Sequence, residues 1–296
     1  MARVLLPWSD LAVPAGVTAV HYDGKTAPPR ELDDIEFYVL PYDSGSAPRE
    51  LIPHLPALKA VQTLNAGYDD ILPLLPEGVT LANGRGLHDL SVAEHTLALI
   101  LAAQRDMPRW FRQQPSGSWS REHTRSLADC RVLLVGYGSI AKAIERYLHA
   151  GEAVTVPVAS KARDGVHGID ELPSLLPDAD IVVLVLPDTP RTRGIIGEQE
   201  LAALPDGALV VNVGRGSAID VDALTAEVSK GRIRAALDVL NPEPFPADHP
   251  LWTQDGVIIT RHVAGGSDSF YPRAKRLVEQ QLARFAQGEP LANLVR

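Results

Sequence analysis

RVLLVGYGSIA, residues 131–141, decides the fold. Four apolar residues follow Arg131 without a break, as in a strand buried on both faces of a parallel sheet. The run enters Gly136-x-Gly138-x-x-Ala141 and a helix opens at once. Gly136 permits a tight turn, Gly138 lets a pyrophosphate approach the backbone, and Ala141 allows close helix–strand packing. Phosphates would rest on the free N–H groups of the helix N-terminus. In SIAKAIERYLHAG, residues Ile140, Ile144, Tyr147 and Leu148 share one helical face, and Gly151 is the expected C′ stop. A tight strand–helix turn without a ligand gives the same glycines. The second strand at the right distance, AVTVPVA, turns the reading toward a dinucleotide.

Outward from this unit the pattern repeats. RVLLVGYG, AVTVPVA, IVVLVLP, ALVVNVG, RAALDVL and VIITRHV are short β-rich runs separated by helical segments, the signature of a parallel α/β sheet. Asp220 is positioned to cap VDALTAEVSKG, with Gly231 ending it. Upstream, VLLPW, AVHY, FYVLPY, LKAVQTL and VTLANG would form a smaller doubly wound domain. SVAEHTLALILAAQRDM, residues 91–107, reads as a long helix with a Ser91/Glu94 capping box, followed by the turn-rich RQQPSGSWSREHTRS. Helix and stretch together form the passage between domains. The final SDSFYPRAKRLVEQQLARFAQG is helical and packs back on the first domain, which makes that domain discontinuous: 1–95 with 268–296, against 96–267.

A chain of 296 residues exceeds one core of typical size, consistent with two domains. Its formal charge of −9 argues against nucleic acid as the main partner. A single cysteine, Cys130, allows no intrachain disulfide and suits a reducing cytoplasm; its place before an apolar strand predicts a small buried residue. No apolar run approaches a membrane span, and the N-terminus is not a signal peptide. The nine histidines are scattered without metal-ligand spacing, so no metal is expected, and no G-x-S-x-G elbow supports a serine hydrolase.

In open α/β sheets, ligands bind beyond the carboxyl ends of the strands. Just past ALVVNVG stands Arg215, past RAALDVL stands Glu243, and past VIIT stands His262. Each alone reads equally as a surface arginine, a loop carboxylate or a satisfied loop histidine. Together they lie on the edge that carries the glycine turn. Hydride transfer to a carbonyl leaves an oxyanion that needs a proton, and histidine titrates in the right range. A carboxylate on its other ring nitrogen fixes the tautomer and favours the charged form. Arginine holds a carboxylate by a bidentate pair. The trio suits reduction of a 2-keto acid or the reverse oxidation.

GYGSIA, VLVLPDTPRTRGIIGEQELAALPDGALVVNVGRGSAID, AALDVLNPEPFPADHPLW and ITRHVAGGS, in this order and spacing, resemble the D-isomer-specific 2-hydroxyacid dehydrogenases. SVAEHTLALILAAQR is similar to the family's first interdomain helix, and LNAGYDD to its substrate-domain glycine turn. The resemblance implies two Rossmann-like, doubly wound parallel-sheet domains separated by a cleft, the substrate domain being flavodoxin-like. It also implies a homodimer that closes by a hinge. By it, Arg215 binds the substrate, Glu243 partners the histidine and His262 is the acid/base. Asn65, Ala66 and Gly67 would offer backbone N–H groups to the substrate carboxylate. Asp238 would contact the nicotinamide carboxamide or serve as a structural cap. Gly136, Tyr137, Gly138, Ser139, Ile140, Leu186, Pro187, Thr192, Val213, Gly214, Arg215, His262 and Gly265 complete the cofactor set.

Two departures stand out. Relatives usually carry proline before the histidine, where this chain has Arg261; the proline's loss removes a backbone constraint, and the added cation would lower the histidine pKa or contact an anion. The strand AVTVPVASKAR also lacks the acid that binds the ribose hydroxyls in NAD-dependent relatives. Val158, Ala159 and Ser160 occupy that neighbourhood, followed by Lys161 and Arg163. Ser160, Lys161 and Arg163 therefore form a candidate 2′-phosphate site, although a solvated basic turn reads the same way. Pro157 is unusual in a central strand and predicts a bulge. The expected protein is a cytoplasmic NAD(P)-dependent D-2-hydroxyacid dehydrogenase that prefers NADP(H), with NAD(H) as the alternative. Its substrate is a small 2-keto acid of the glyoxylate or hydroxypyruvate type. The alternatives are an NAD-dependent member acting on a phosphoglycerate-, formate- or phosphite-type acid, and a non-catalytic nucleotide-sensing module.

Overall fold

The structure, a computed structural model, describes residues 1–42, 44–117, 119 and 121–295. Strands β1 (Ala2–Leu6), β2 (Val17–His21) and β3 (Ile35–Val39) precede helix α1 (Ala47–Glu50), β4 (Ala60–Gln62) and β5 (Thr80–Ala82). Helices α2 (Asp89–Gln104) and α3 (Met107–Gln113) lead to β6 (Arg131–Val135), α4 (Ser139–Ala150), β7 (Val154–Ala159) and β8 (His167–Gly168). Then come α5 (Leu172–Leu175), β9 (Ile181–Leu184), α6 (Glu198–Ala203), β10 (Leu209–Asn212) and α7 (Val221–Ser229). Strands β11 (Arg234–Leu237) and β12 (Val257–Ile259) and helix α8 (Phe270–Gln287) complete the chain. It divides into two units, Met1–His88 with Asp268–Arg296, and Asp89–Ser267.

In the second unit seven parallel strands run in the order β12-β11-β10-β9-β6-β7-β8. The continuous apolar runs of the sequence are explained by two cores, one on each face. Leu133 and Val135 enter one core with Val182, Leu184 and Val210, beneath Leu201 of α6 and Leu224 of α7. Val132 and Leu134 enter the other with Ile181, Val183, Leu209 and Val211, beneath α2 and α4. Each such side chain contributes about 1.5–3 kcal/mol by leaving water. The strand order reverses direction between β6 and β9, which places the switch point of the sheet beside the glycine turn.

The first unit has five parallel strands in the order β2-β1-β3-β4-β5, the flavodoxin-like arrangement. Val4, Leu6, Phe37 and Val39 pack against Phe270, Ala274, Val278 and Leu282 of α8, so the C-terminal helix belongs to this core. Leu5, Tyr38 and Val61 face the opposite core with Ile52 and Ile71.

Several local expectations change. Helix α2 starts at Asp89, so Ser91 lies inside it, and its hydroxyl meets Ser267 Oγ at 2.6 Å instead of capping. Leu90 packs into the α2/α4 core, which draws the helix two residues upstream. Gly151 ends α4 with φ −93°, and the left-handed residue is Glu152 at φ +60°. A Cβ on Gly151 would lie 2.9 Å from Leu127 Cδ2, so this glycine packs against the end of that side chain. Cys130 is half-buried, its thiol donating to Ser126 O at 3.2 Å. Asp220 caps α7 as expected, accepting from the Asp222 and Ala223 N–H groups. Pro157 makes no bulge: β6 and β7 keep register from Arg131↔Val154 to Val135↔Val158. Val154 N donates to Cys130 O and Val158 O accepts from Gly136 N, so the even positions face β6 and the Pro157 nitrogen faces outward. There β8 covers only Val158 and Ala159, so the missing donor leaves no ladder bond unmade. Among the described residues no helix is long and apolar enough to cross a membrane.

Candidate active site

Because every strand of the second unit is parallel, the loops after β6, β9, β10, β11 and β12 leave the same edge of the sheet. Glycines let four of them touch. A Cβ at Gly136, which has φ +100°, would lie 2.4 Å from Val185 O. One at Gly214 would lie 2.6 Å from Leu186 N, and one at Gly216 would lie 2.0 Å from Leu240 C and O. Real Cβ atoms cannot come so near, so the glycines on both sides of Arg215 fix how closely its loop packs on its neighbours.

Arg215 is held from below by Asn212, which is fully buried. Asn212 Nδ2 donates to Arg215 O at 2.9 Å and its Oδ1 accepts from Gly214 N at 3.1 Å. Glu243 is reached from the same loop cluster, its Oε1 accepting from Leu240 N at 3.1 Å. Its Oε2 lies 2.8 Å from His262 Nδ1, which therefore carries the proton in the neutral ring. Nε2 has no partner among the described residues, and the side chain is about half exposed. The bond to Glu243 raises the His262 pKa above its ordinary value, against burial and the Arg215 charge. For Glu243, burial acts to raise the pKa, but the His262 bond, the Leu240 N–H and the Arg215 charge bring it below the usual value. The Arg215 charge opposes His262 protonation, but the net shift is upward.

Asp238 holds the backbone around His262. His262 sits in the left-handed region at φ +53°, uncommon for a non-glycine residue. Its N–H donates to Asp238 O at 2.7 Å, while the Asp238 carboxylate accepts from Val263 N and Ala264 N, each at 3.0 Å, and from the Thr260 hydroxyl. Burial pushes the Asp238 pKa up, yet these donors and His95 hold it well below the carboxylate range. Asp238 therefore caps the His262 segment. Asp238, Leu240, Glu243, Phe245, Trp252 and His262 border a cavity of about 710 Å³, which Arg261 also lines.

At the glycine turn, the Gly136 and Tyr137 N–H groups donate to Val158 O, at 2.9 and 3.1 Å. Gly138 is the N-cap of α4 and provides no side-chain acceptor, so Ser139 and Ile140 open the helix with first-turn N–H groups uncapped. A Cβ at Gly138 would meet nothing within 4 Å. This open, donor-rich end fits a pyrophosphate, and the residues present fit a dinucleotide. Arg163 Nη2 donates to Tyr137 O at 3.1 Å, and its guanidinium lies 5.9 Å from the Tyr137 ring. Lys142 approaches that ring at 5.8 Å. Ser160 and Lys161 are exposed at the end of β7. Leu186 is buried, and Thr192 Oγ1 donates to Pro187 O at 2.6 Å, closing the turn after β9. Val213 N donates to Leu184 O at 3.1 Å, and Gly265 O accepts from Ser267 N at 3.2 Å.

Asn65, Ala66 and Gly67 belong to the first unit, in the loop after β4. Asn65 N donates to Thr63 Oγ1 at 3.2 Å. No acceptor among the described residues takes the N–H of Ala66 or Gly67.

The model of the D-isomer specific 2-hydroxyacid dehydrogenase NAD binding domain matches residues 97–264. The chain belongs to this family of NAD(P)-dependent oxidoreductases. D-3-phosphoglycerate dehydrogenase of Methanocaldococcus jannaschii is 32% identical over 258 residues, which cover 83% of this chain and 49% of that protein. The chain thus spans about half the length of the phosphoglycerate dehydrogenase it matches. Glyoxylate/hydroxypyruvate reductase B of Pectobacterium atrosepticum is 30% identical over 256 residues, 81% of this chain and 79% of that one. Among solved structures, a D-isomer specific 2-hydroxyacid dehydrogenase from Xanthobacter autotrophicus Py2, in complex with NADPH and MES, superposes with a TM-score of 0.80. It is 29% identical, with coverage of 100% and 98%.

For this 2-hydroxyacid dehydrogenase family member, the structure brings Arg215, Glu243 and His262 into mutual electrostatic reach. It also shows residues that sequence reasoning passed over: Asn212 beneath Arg215, Thr260 on Asp238 and Lys142 beside Tyr137. Asn212 had a signal, since an asparagine ending the apolar run ALVVN needs buried partners. Lys142 had none, because its relation to Tyr137 depends on the path of the turn.

Proposed function

We propose that this chain reduces a small 2-keto acid of the glyoxylate or hydroxypyruvate type to the D-2-hydroxy acid with NADPH. The observation that carries the proposal is the 2.8 Å pairing of His262 Nδ1 with Glu243, which leaves Nε2 without a partner among the described residues. Bound NADPH supplies the hydride. Arg215 holds the substrate carboxylate and polarises the neighbouring carbonyl. Protonated His262 gives its Nε2 proton to the carbonyl oxygen as charge develops there, and Glu243 stabilises the imidazolium and keeps the ring oriented. In the oxidative direction the neutral ring takes the hydroxyl proton. The N–H groups of Ala66 and Gly67 serve as further carboxylate donors, whereas the Asn65 N–H expected beside them already donates to Thr63 Oγ1.

The preference for NADPH is supported by Arg163, which Tyr137 O holds beside the glycine turn, by exposed Lys161, and by the lack of an acid at Val158–Ser160. Lys161→Ala with Arg163→Ala should lower the NADPH-to-NADH ratio of kcat/KM at least tenfold; an unchanged ratio would remove this part of the proposal. A homodimer in the cytoplasm completes the reading, on the family resemblance and the single cysteine. The similarity to phosphoglycerate dehydrogenases favours one competing reading, an NAD-dependent enzyme for a phosphorylated acid. Steady-state kinetics with glyoxylate, hydroxypyruvate, pyruvate and 3-phosphohydroxypyruvate, each with NADPH and NADH, separates the two. His262→Ala should lose about 10²–10⁴ in kcat while still binding NADPH. No turnover of any of the four acids by the wild type would overturn the enzymatic reading.

A further inference from the structure

The loop that offers Ala66 and Gly67 is held by its carbonyls. His88 Nε2 donates to Leu64 O at 3.0 Å, Gly84 N to Asn65 O at 2.8 Å, and Asn83 Nδ2 to Ala66 O at 2.7 Å. Three consecutive carbonyls are thus taken by one segment, residues 83–88. In a planar trans peptide the C=O and the following N–H point in opposite directions. Pinning Asn65 O and Ala66 O toward that segment therefore turns the N–H groups of Ala66 and Gly67 away from it. Bonds accepted by those carbonyls also polarise the same peptide units and strengthen their N–H groups as donors. A Cβ on Gly84 would lie 2.5 Å from Leu64 O, so no larger residue could bring the segment this close.

Asn83 is the one side chain in this set that grips the middle of the loop, and it is itself fixed. It is buried, its Oδ1 accepts from Arg85 N at 3.2 Å, and its own N–H donates to Asn293 O at 3.1 Å. Asn293 Nδ2 in turn donates to Arg85 O at 2.9 Å. Residues 292–295 are tied down beside it. Buried Gln281 accepts from Ala292 N at 2.9 Å and donates to Gln62 Oε1 at 2.6 Å, and Val295 N donates to Leu81 O at 2.8 Å. Polar groups this deep need partners, and here the partners form a continuous brace from the C-terminal segment to the loop.

We infer that Asn83, braced by Asn293, is a positioning residue for substrate carboxylate recognition: by holding Ala66 O it aims the Gly67 N–H at the anion. The inference rests on the reading of the Ala66 and Gly67 N–H groups as carboxylate donors. The test compares pyruvate with methyl pyruvate, with NADPH as reductant. Asn83→Ala should raise KM for pyruvate about tenfold, with kcat and the Kd for NADPH within twofold and KM for the ester little changed. Asn83→Asp keeps the size and the acceptor for Arg85 N but places an anionic oxygen against Ala66 O, and should raise KM for pyruvate further. Asn293→Ala should act in the same direction, more weakly.

An acid-over-ester preference untouched by both Asn83 variants would overturn the inference alone. Equal loss for acid and ester would overturn it too, because a general structural defect does not distinguish them. A wild type that turns over the ester as well as the acid would instead remove the carboxylate reading on which it rests. If Asn83→Ala does not fold, the Asn83→Asp acid-to-ester ratio decides.

Discussion

Gly216→Ala tests whether Arg215 and Glu243 are held as one unit. The new methyl would stand 2.0 Å from Leu240 C and O. Carbon atoms in contact settle at about 3.5–4.0 Å, so the loops after β10 and β11 must part by about 1.5–2 Å. The obstacle is backbone, which cannot swing aside as a side chain can. Overpacking of this kind costs about 1–3 kcal/mol. For a unit of about 150–250 residues each kcal/mol lowers Tm by about 2–4 °C, so a fall of about 2–12 °C is expected. The chemistry should suffer more. Leu240 N orients Glu243, and Gly216 adjoins Arg215, so the shift separates the groups that hold and protonate the substrate. A misplacement of about 1 Å costs on the order of 10²-fold in rate. Single-turnover reduction at saturating NADPH and keto acid reads that loss directly, with calorimetry on the same protein. A variant with wild-type Tm and a rate within twofold of wild type would refute the claim that these loops are locked by contact.

Gly138→Ala should behave in the opposite way. Its Cβ would meet no atom of the described residues within 4 Å, so the stability of the free protein should fall by no more than the roughly 1 kcal/mol of lost N-cap preference. The Kd for NADPH, followed by fluorescence titration, should weaken at least tenfold. Glu243→Gln removes the partner that raises the His262 pKa. Wild-type keto acid reduction needs the protonated ring, persists above the ordinary histidine value near about 6.5, and is lost as pH rises through the raised value. In the variant that midpoint should move to lower pH in a kcat/KM profile; an unmoved midpoint contradicts the pairing. The same bond contributes stability that is fully present below about pH 6.5 and is lost as pH rises through the folded value. Asp238→Ala strands the Val263 and Ala264 N–H groups, at about 1–3 kcal/mol each in urea unfolding at pH 7. Because Asp238 is depressed in the folded state, the wild-type advantage should be present above about pH 3.9 and shrink as pH falls below it.

The parts of the site legible in the sequence are those whose position follows from chain direction alone. Arg215, Glu243 and His262 each follow a strand, and parallel strands end at one edge, so six apolar runs sufficed to bring them together. Gly136 was legible because its turn demands φ +100°. What the sequence concealed depends on contacts between distant segments. Ser91 has the composition of a cap but meets Ser267, 176 residues away. Gly151 reads as a left-handed stop but packs against Leu127 at negative φ, and Glu152 takes the left-handed turn. Arg261 pointed to a loosened histidine, yet Asp238, on another strand end, holds the His262 backbone. The two-residue β8 carries too few residues for any periodicity, and only its pairing with Val158 and Ala159 defines it.

Pro157 also bears on what the border of its sheet can pair with. Over residues 154–157, strand β7 is the border of its sheet, since β8 begins its pairing only at Val158. Such a border is a template for any extended segment that can exchange backbone hydrogen bonds with it. Thr155 and Pro157 are the positions that face outward there, and proline has no N–H to give. An arriving strand would find a donor missing midway and a ring in its path. The proline thus denies an incoming strand a backbone donor at the border of this sheet.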